Sequence, residues 1–215
     1  MAHRRLKSVL HDLRARLHDS REIVREAGVW ISTGAPGGSA IISQSRREQL
    51  IQLAFLQAFL AWEGFLEDSF VLYLTGQVPP KGRPPARYAF PPSLRIAEDW
   101  LVPEGRRFAE WTNAETVSQR ARRFFRAGKP FSIILSANQN ILVEANVLRN
   151  AIAHQSGHSQ LQFEKLVRQK HSVYTHGLTV GGFLNSRVPG SIPPAVFFDV
   201  YLEKLELAAH RIVPA

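Results

Sequence analysis

The sequence predicts an all-α fold: a helical bundle with an N-terminal helical extension and long Pro/Gly-rich loops. Three observations carry that expectation. Apolar residues recur at the helical period, several of the runs open with S/T-x-x-E/Q capping boxes, and Gly and Pro cluster between them. No period-2 strand set and no internal repeat is found.

The elements follow in order. From about Arg4 to Ala27, Leu6, Val9, Leu10, Leu13 and Leu17 fall at helical spacing, and Gly28 is expected to stop the helix. Trp30–Ser43 follows, with Gly34-Ala35-Pro36-Gly37-Gly38 as a flexible or tightly turned loop. Ser45-Arg46-Arg47-Glu48 reads as a capping box opening a long helix to about Leu74, closed by Gly76. Its core face is aromatic, because Phe55, Phe59, Trp62, Leu66, Phe70 and Tyr73 fall within an arc of roughly 80°. Six of the 13 prolines lie between Gly76 and Ser93, so that stretch is a surface loop or linker, with a PxxP peptide ligand as the alternative.

A short helix is expected near Ser93–Leu101, and Thr112-Asn113-Ala114-Glu115 caps one running to Gly128. Ser136-Ala137-Asn138-Gln139 caps the next, a motif helix at about 137–156 ending near Gly157, and Ser159-Gln160-Leu161-Gln162 caps a third. A Gly/Pro-rich loop spans about His176–Pro193, and Pro193-Pro194 starts a last helix through about Ile212. Residues 1–44 are thus read as a helix and loop packing on the core or a partner, and 45–215 as the helical domain.

Charge narrows the partners. The chain has 27 Lys+Arg against 18 Asp+Glu, a formal +9, which suggests a polyanion. Only six of the 27 are lysine; arginine suits bidentate phosphate contact, but genome base composition produces the same bias. Cysteine is absent, which excludes disulfides, thiolate metal sites and a Cys nucleophile. The first residues lack an apolar signal segment, so a cytoplasmic location is expected. Polar residues at Gln52, Gln57, Glu63, Glu67 and Asp68 interrupt the most apolar run, which argues against a membrane partner.

Chemistry concentrates in Ile141–Gly157. At about 100° per residue, Ile141, Ala145, Leu148 and Ile152 form one apolar stripe. Asn146, Asn150 and His154, four apart, form a ridge on another side, with Arg149 near them at the C-terminal end. His carries protons near neutrality, Arg stabilises the extra charge of a phosphorane, and Asn orients a hydroxyl or phosphate oxygen. Together they suit metal-independent RNA cleavage, in which the ribose 2′-OH attacks the adjacent phosphorus. A solvated or interface face carrying one Arg, one Asn and one His is the plainer alternative.

Arg149-Asn150-Ala151-Ile152-Ala153-His154 matches the R-N-x-x-x-H form of a motif found in the HEPN superfamily. The preceding Leu142 and Leu148 and the following Gln155-Ser156-Gly157 look like that family too. Ala61-Trp62-Glu63-Gly64-Phe65-Leu66-Glu67-Asp68 resembles the upstream helix of its RiboL-PSP and related groups. The likeness covers roughly Ser45–Val173. It implies a small all-α domain, often a metal-independent RNase of toxin–antitoxin or antiviral systems, with the cleft shared across a homodimer. On that resemblance Arg149 and His154 correspond to the catalytic pair and Asn150 to the polar residue after the Arg, with Glu63 and Asn146 as possible support. The expected function is an RNA endonuclease leaving 2′,3′-cyclic phosphate ends, with a toxin or defence role and an antitoxin or defence-system partner. The alternative is a non-catalytic RNA- or nucleotide-binding or dimerising module. Some members extend the motif to R-x4-H-x-Y, whose Tyr a partner modifies; Ser156 stands there, so that mode of neutralisation is not expected.

Arg120, Arg122, Arg123 and Arg126, with Lys81 and Arg83, are candidate RNA-binding residues, the alternative being an amphipathic helix with Phe124 and Phe125 in the core. His154, His158, His171 and His176 raise a metal site, but Gly157 is expected to end the helix between the first two, so no metal and no cofactor is assigned. Gly34–Gly38 lacks a G-K-[ST] ending, and Gly181-Gly182 follows no strand, so nucleotide hydrolysis has little support.

Overall fold

A computed structural model describes residues 5–32, 42–154, 156–171 and 176–215. The loop predicted at Gly34–Gly38 lies outside the described residues, as does most of Trp30–Ser43. The described chain is helical, without a strand: α1 Leu6–Ser32, α2 Gln44–Leu74, α3 Leu94–Leu101, α4 Ala114–Phe124, α5 Phe131–Ala137, α6 Gln139–Ala153, α7 Gly157–His171, α8 Val180–Leu184 and α9 Phe197–Ile212.

Several boundaries differ from the sequence expectation, each for a local reason. α1 runs through Gly28, which lacks the left-handed backbone that a terminating glycine adopts. Ser43, not Ser45, caps α2: its Oγ accepts the Arg46 N–H at 3.3 Å and its carbonyl the Arg47 N–H at 3.0 Å. Glu48, expected to complete the box, instead accepts from Gln44 at 2.8 Å and Thr179 at 2.6 Å. Asn113 rather than Thr112 caps α4, accepting from Glu115 and Thr116 at 2.9 and 3.1 Å.

α4 ends at Phe124, four residues before Gly128, because the chain there pairs with the proline-rich segment. Tyr88 N–H donates to Phe124 O at 2.9 Å and Arg126 N–H to Ala86 O at 2.9 Å, around an isolated bridge between Arg87 and Phe125. A tight turn at 126–128 follows, with Ala127 at φ 54°. Ser136 sits in the last turn of α5, a helix the sequence did not predict, and the break falls at Asn138. The Asn138 carbonyl starts α6 by accepting the Leu142 N–H at 3.0 Å. Pro193 and Pro194 precede α9 instead of opening it. There Val188 N–H donates to Ala195 O at 2.8 Å and Phe197 N–H to Ser186 O at 3.1 Å, folding the segment back on itself.

The chain forms two compact units: residues 1–14, 61–143 and 204–215 make the first, and 15–60 and 144–203 the second. The first is organised around Phe70, whose ring lies 5.4 Å from Trp111, 5.0 Å from Phe125 and 4.9 Å from Phe131, centroid to centroid. Burial of each such ring stabilises by roughly 1.5–3 kcal/mol, with about 1 more from edge and offset contacts. α2 ends within this unit in a Schellman motif. Gly76, at φ 95°, donates to Tyr73 O at 3.0 Å, and Gln77 donates to Leu72 O at 2.9 Å. Arg87 satisfies a further orphan carbonyl, Leu74 O, at 2.7 Å.

The second unit packs Phe183 flat on Phe197 at 4.5 Å, with His171 edge-on to both at 5.7 and 5.4 Å. Phe55 meets Phe198 at 6.4 Å and Tyr201 at 6.0 Å. The six aromatic and leucine positions predicted for the core face of α2 are all buried. Residues 69–74 are buried on every side, which a one-faced pattern did not show. Among the described residues α2 is the one helix long and apolar enough, by length and composition, to cross a membrane; 44% of its apolar window is buried inside the protein.

Candidate functional site

The motif residues lie in the second unit, at the C-terminal end of α6. Ala145 and Leu148 are buried, and Ile141 and Ile152, the outer members of the apolar stripe, are half-buried. Leu142 is buried as well, so the inward face is wider than the stripe. With that face fixed, the polar residues are left toward the outside: Arg149 and Asn150 are half-buried and His154 is exposed.

Their side chains meet. Arg149 Nη1 donates to Asn150 Oδ1 at 3.2 Å and lies 3.3 Å from His154 Nε2. A guanidinium has only donors, so Nε2 must be the acceptor in this contact. A hydrogen bond at this contact uses the tautomer with its proton on Nδ1. A permanent cation, an amide and an imidazole are thus gathered at the C-terminal end of α6.

The sequence placed His154 inside the motif helix and Gly157 at its end. Instead α6 stops at Ala153, His154 stands just beyond it, and Gly157 is the first residue of α7. The reason is a reciprocal cap between two serines. Ser159 N–H donates to Ser156 Oγ and Ser156 N–H to Ser159 Oγ, both at 3.2 Å, so Ser156 and not Ser159 opens α7. The His154 carbonyl is held by the Ser156 N–H at 2.7 Å and by the Ser159 hydroxyl in a short contact. His154 thus has a fixed backbone and an exposed ring. Ser159 is the positioning residue that sequence reasoning missed; the S-x-x-S spacing was the available signal.

Beneath α6, Glu144 anchors the helix. It pairs with Lys170 at 2.7 Å and accepts the Tyr201 hydroxyl at 3.0 Å. Burial, and then the adjacent carboxylate, push the Tyr201 phenol far above its ordinary range, so it remains a donor. Asn146 is half-buried, and its Oδ1 is enclosed without a hydrogen-bond partner among the described residues. Glu63 is half-buried on α2, in the first unit.

The basic candidates separate. Arg120 was expected on an outward ridge but is buried, at 7% exposure. Its guanidinium lies 4.5 Å above the Trp111 ring and donates to Glu110 O at 2.8 Å, and burial lowers its pKa. What the sequence did not show is that the 110–111 segment covers Arg120. Arg120→Ala is therefore expected to destabilise the protein by about 1–3 kcal/mol in urea unfolding, through the lost stacking and the orphaned carbonyl. Arg122, Arg123, Arg126, Lys81 and Arg83 are exposed, with Arg122 3.9 Å from Glu115.

His158 is exposed, whereas His171 is half-buried against Phe183 and Phe197, with Nε2 3.1 Å from Ser186 Oγ. No group of three or more His, Asp or Glu placed to hold a metal occurs among the described residues. Gly181 lies in α8 against the backbone of Glu48, a packing role rather than a phosphate loop. Comparison with protein-family models, curated proteins and solved structures gave no significant match.

Proposed function

We propose that this chain is a metal-independent RNA endonuclease of the HEPN type. The observation that carries the reading is the contact of Arg149 with both Asn150 and His154 at an exposed helix end. In the free protein the guanidinium occupies the Nε2 lone pair. A phosphodiester that draws Arg149 onto its oxygens releases that lone pair for the neighbouring ribose hydroxyl. His154 Nε2 takes the 2′-OH proton, the 2′-oxygen bonds to phosphorus, and the P–O5′ bond breaks, with the 5′-oxygen taking a proton from water as it leaves. Arg149 offsets the charge that gathers on the phosphorane, and Asn150 orients it. The products are a 2′,3′-cyclic phosphate and a 5′-OH, and only RNA supplies the nucleophile.

As in the family it resembles, the cleft would be completed by a second copy across a two-fold axis, and the role would be that of a toxin or defence effector held in check by a partner. The exposed arginines and lysines would track the RNA backbone. The test is incubation of the purified protein with RNA in EDTA. Fragments ending in cyclic phosphate are expected, and DNA of the same sequence should stay intact. Absence of cleavage, or cleavage only with an added divalent ion, would refute the reading.

The engagement of Arg149 with its own neighbours favours one second reading, a domain that binds RNA without cutting it. RNA affinity falling steeply with salt, with no product after long incubation, would establish that alternative.

A further inference from the structure

A concave feature lies wholly within the first unit, lined by none of Arg149, Asn150 and His154, although three of its cations, Lys81, Arg83 and Arg126, are also the candidate RNA-backbone contacts. The proline-rich segment, read from the sequence as a surface loop or linker, forms one wall of a hollow of about 560 Å³; the start of α5 and the chain's last residues form the others. Pockets of roughly 300–1,000 Å³ hold small organic molecules. The walls are fixed by backbone bonds: Lys81 N–H to Pro214 O at 3.0 Å, Arg126 N–H to Ala86 O at 2.9 Å, and Tyr88 N–H to Phe124 O at 2.9 Å. Such a hollow needs little ordering to receive a ligand.

Its lining has two parts. Ile133, Ile134, Pro85 and Pro130 make an apolar surface, with Tyr73 and Ile212 buried behind it and the Tyr73 hydroxyl spent on Ile212 O at 2.7 Å. Lys81, Arg83, Arg126, Lys129 and Arg211 also line the hollow; all five are exposed, and no Asp or Glu accompanies them. None of the five pairs with a described acidic residue. Like charges around one opening repel each other, and an anion relieves that repulsion. No Ser, Thr, Asn or Gln side chain lines the hollow, so a nucleobase seated there would find no side-chain acceptor for its amino groups. The one aromatic ring, Tyr73, is buried and offers no stacking face.

We propose that this hollow binds a small organic acid with an apolar body, an acyl or aryl chain ending in a carboxylate or a phosphate monoester. The body fills the Ile/Pro surface and the head group takes the cations. The inference does not involve Arg149, Asn150 or His154, but it competes with the reading of Lys81, Arg83 and Arg126 as RNA-backbone contacts, which displacement by AMP decides.

The test uses the full chain and the fluorescent anion 8-anilinonaphthalene-1-sulfonate as probe. Saturable binding at one site is expected, displaced by dodecanoate and dodecyl phosphate below their micellar concentrations. The better of the two displacers identifies the head group. Dodecyltrimethylammonium, with the same tail and the opposite charge, should not displace it. The exposed double variant Lys129→Glu/Arg211→Glu should bind the probe at least tenfold more weakly, with its urea midpoint reported alongside to show that it folds. Undiminished binding to that variant would overturn the proposal. So would displacement by AMP as effective as that by dodecanoate, which would assign the cations to nucleic acid.

Discussion

His154→Ala is expected to lower RNA cleavage by about 10²–10⁴-fold, the range for loss of a positioned proton acceptor. His154 is exposed, and its ring contacts Arg149, so the substitution should leave the urea midpoint nearly unchanged. Arg149→Ala should cost about 10²–10³-fold through lost charge stabilisation, with some loss of stability because Arg149 is half-buried. Arg149→Lys is expected to recover little, since an ammonium lacks the planar fork that fits two phosphate oxygens at once. If the groups act in one step, the double variant should be scarcely worse than the worse single variant. Product analysis on a denaturing gel, with the cyclic end confirmed by mass, reads all of these. Full activity in His154→Ala would remove His154 from the mechanism.

Gly181→Ala should give the largest change in stability. A Cβ at that position would lie 2.2 Å from the Glu48 carbonyl oxygen and 2.7 Å from its carbon. Both are backbone atoms in the first turns of α2, where no side chain can swing aside. The two elements must separate, which costs about 3 kcal/mol or more. Gly64→Ala makes the contrast. It lies inside the same helix, a Cβ there meets nothing within 4 Å, and a stabilisation of about 0.5–1 kcal/mol is expected. Urea midpoints of the two variants should therefore move in opposite directions. A small loss in Gly181→Ala would show that α8 packs more loosely on α2 than described.

The contrast between these glycines shows where sequence reading succeeds and where it stops. The helical period, the Ser93 and Gly76 punctuation and the aromatic face of α2 were legible, because each depends on residues within a turn or two of one another. Asn138 was not legible as a break: Ser-Ala-Asn-Gln satisfies a capping box on paper, but the segment before it forms its own helix. The Ser156 cap competes with the Ser159 box for Ser159, the residue common to both, and only the fate of the His154 carbonyl decides between them. At the candidate site, the angular spacing of Arg149, Asn150 and His154 indicated convergence. Arg120 was a candidate of the same kind, yet it is covered by Trp111, nine residues earlier in the chain. The hollow was beyond reach for the same reason. Its walls come from residues 73 to 214, and no local pattern records which of them meet.

The wall built by the proline-rich segment also bears on the unfolded chain. A proline's φ is restricted before folding begins, and the residue preceding it is restricted as well. Six such residues between Gly76 and Ser93 narrow the conformations from which that stretch must be collected. An unpatterned loop of equal length would lose more disorder on being fixed against α4 and the C-terminus. The three backbone bonds at Lys81, Tyr88 and Arg126 can therefore hold a long irregular segment in place, because part of its freedom was already absent from the denatured ensemble.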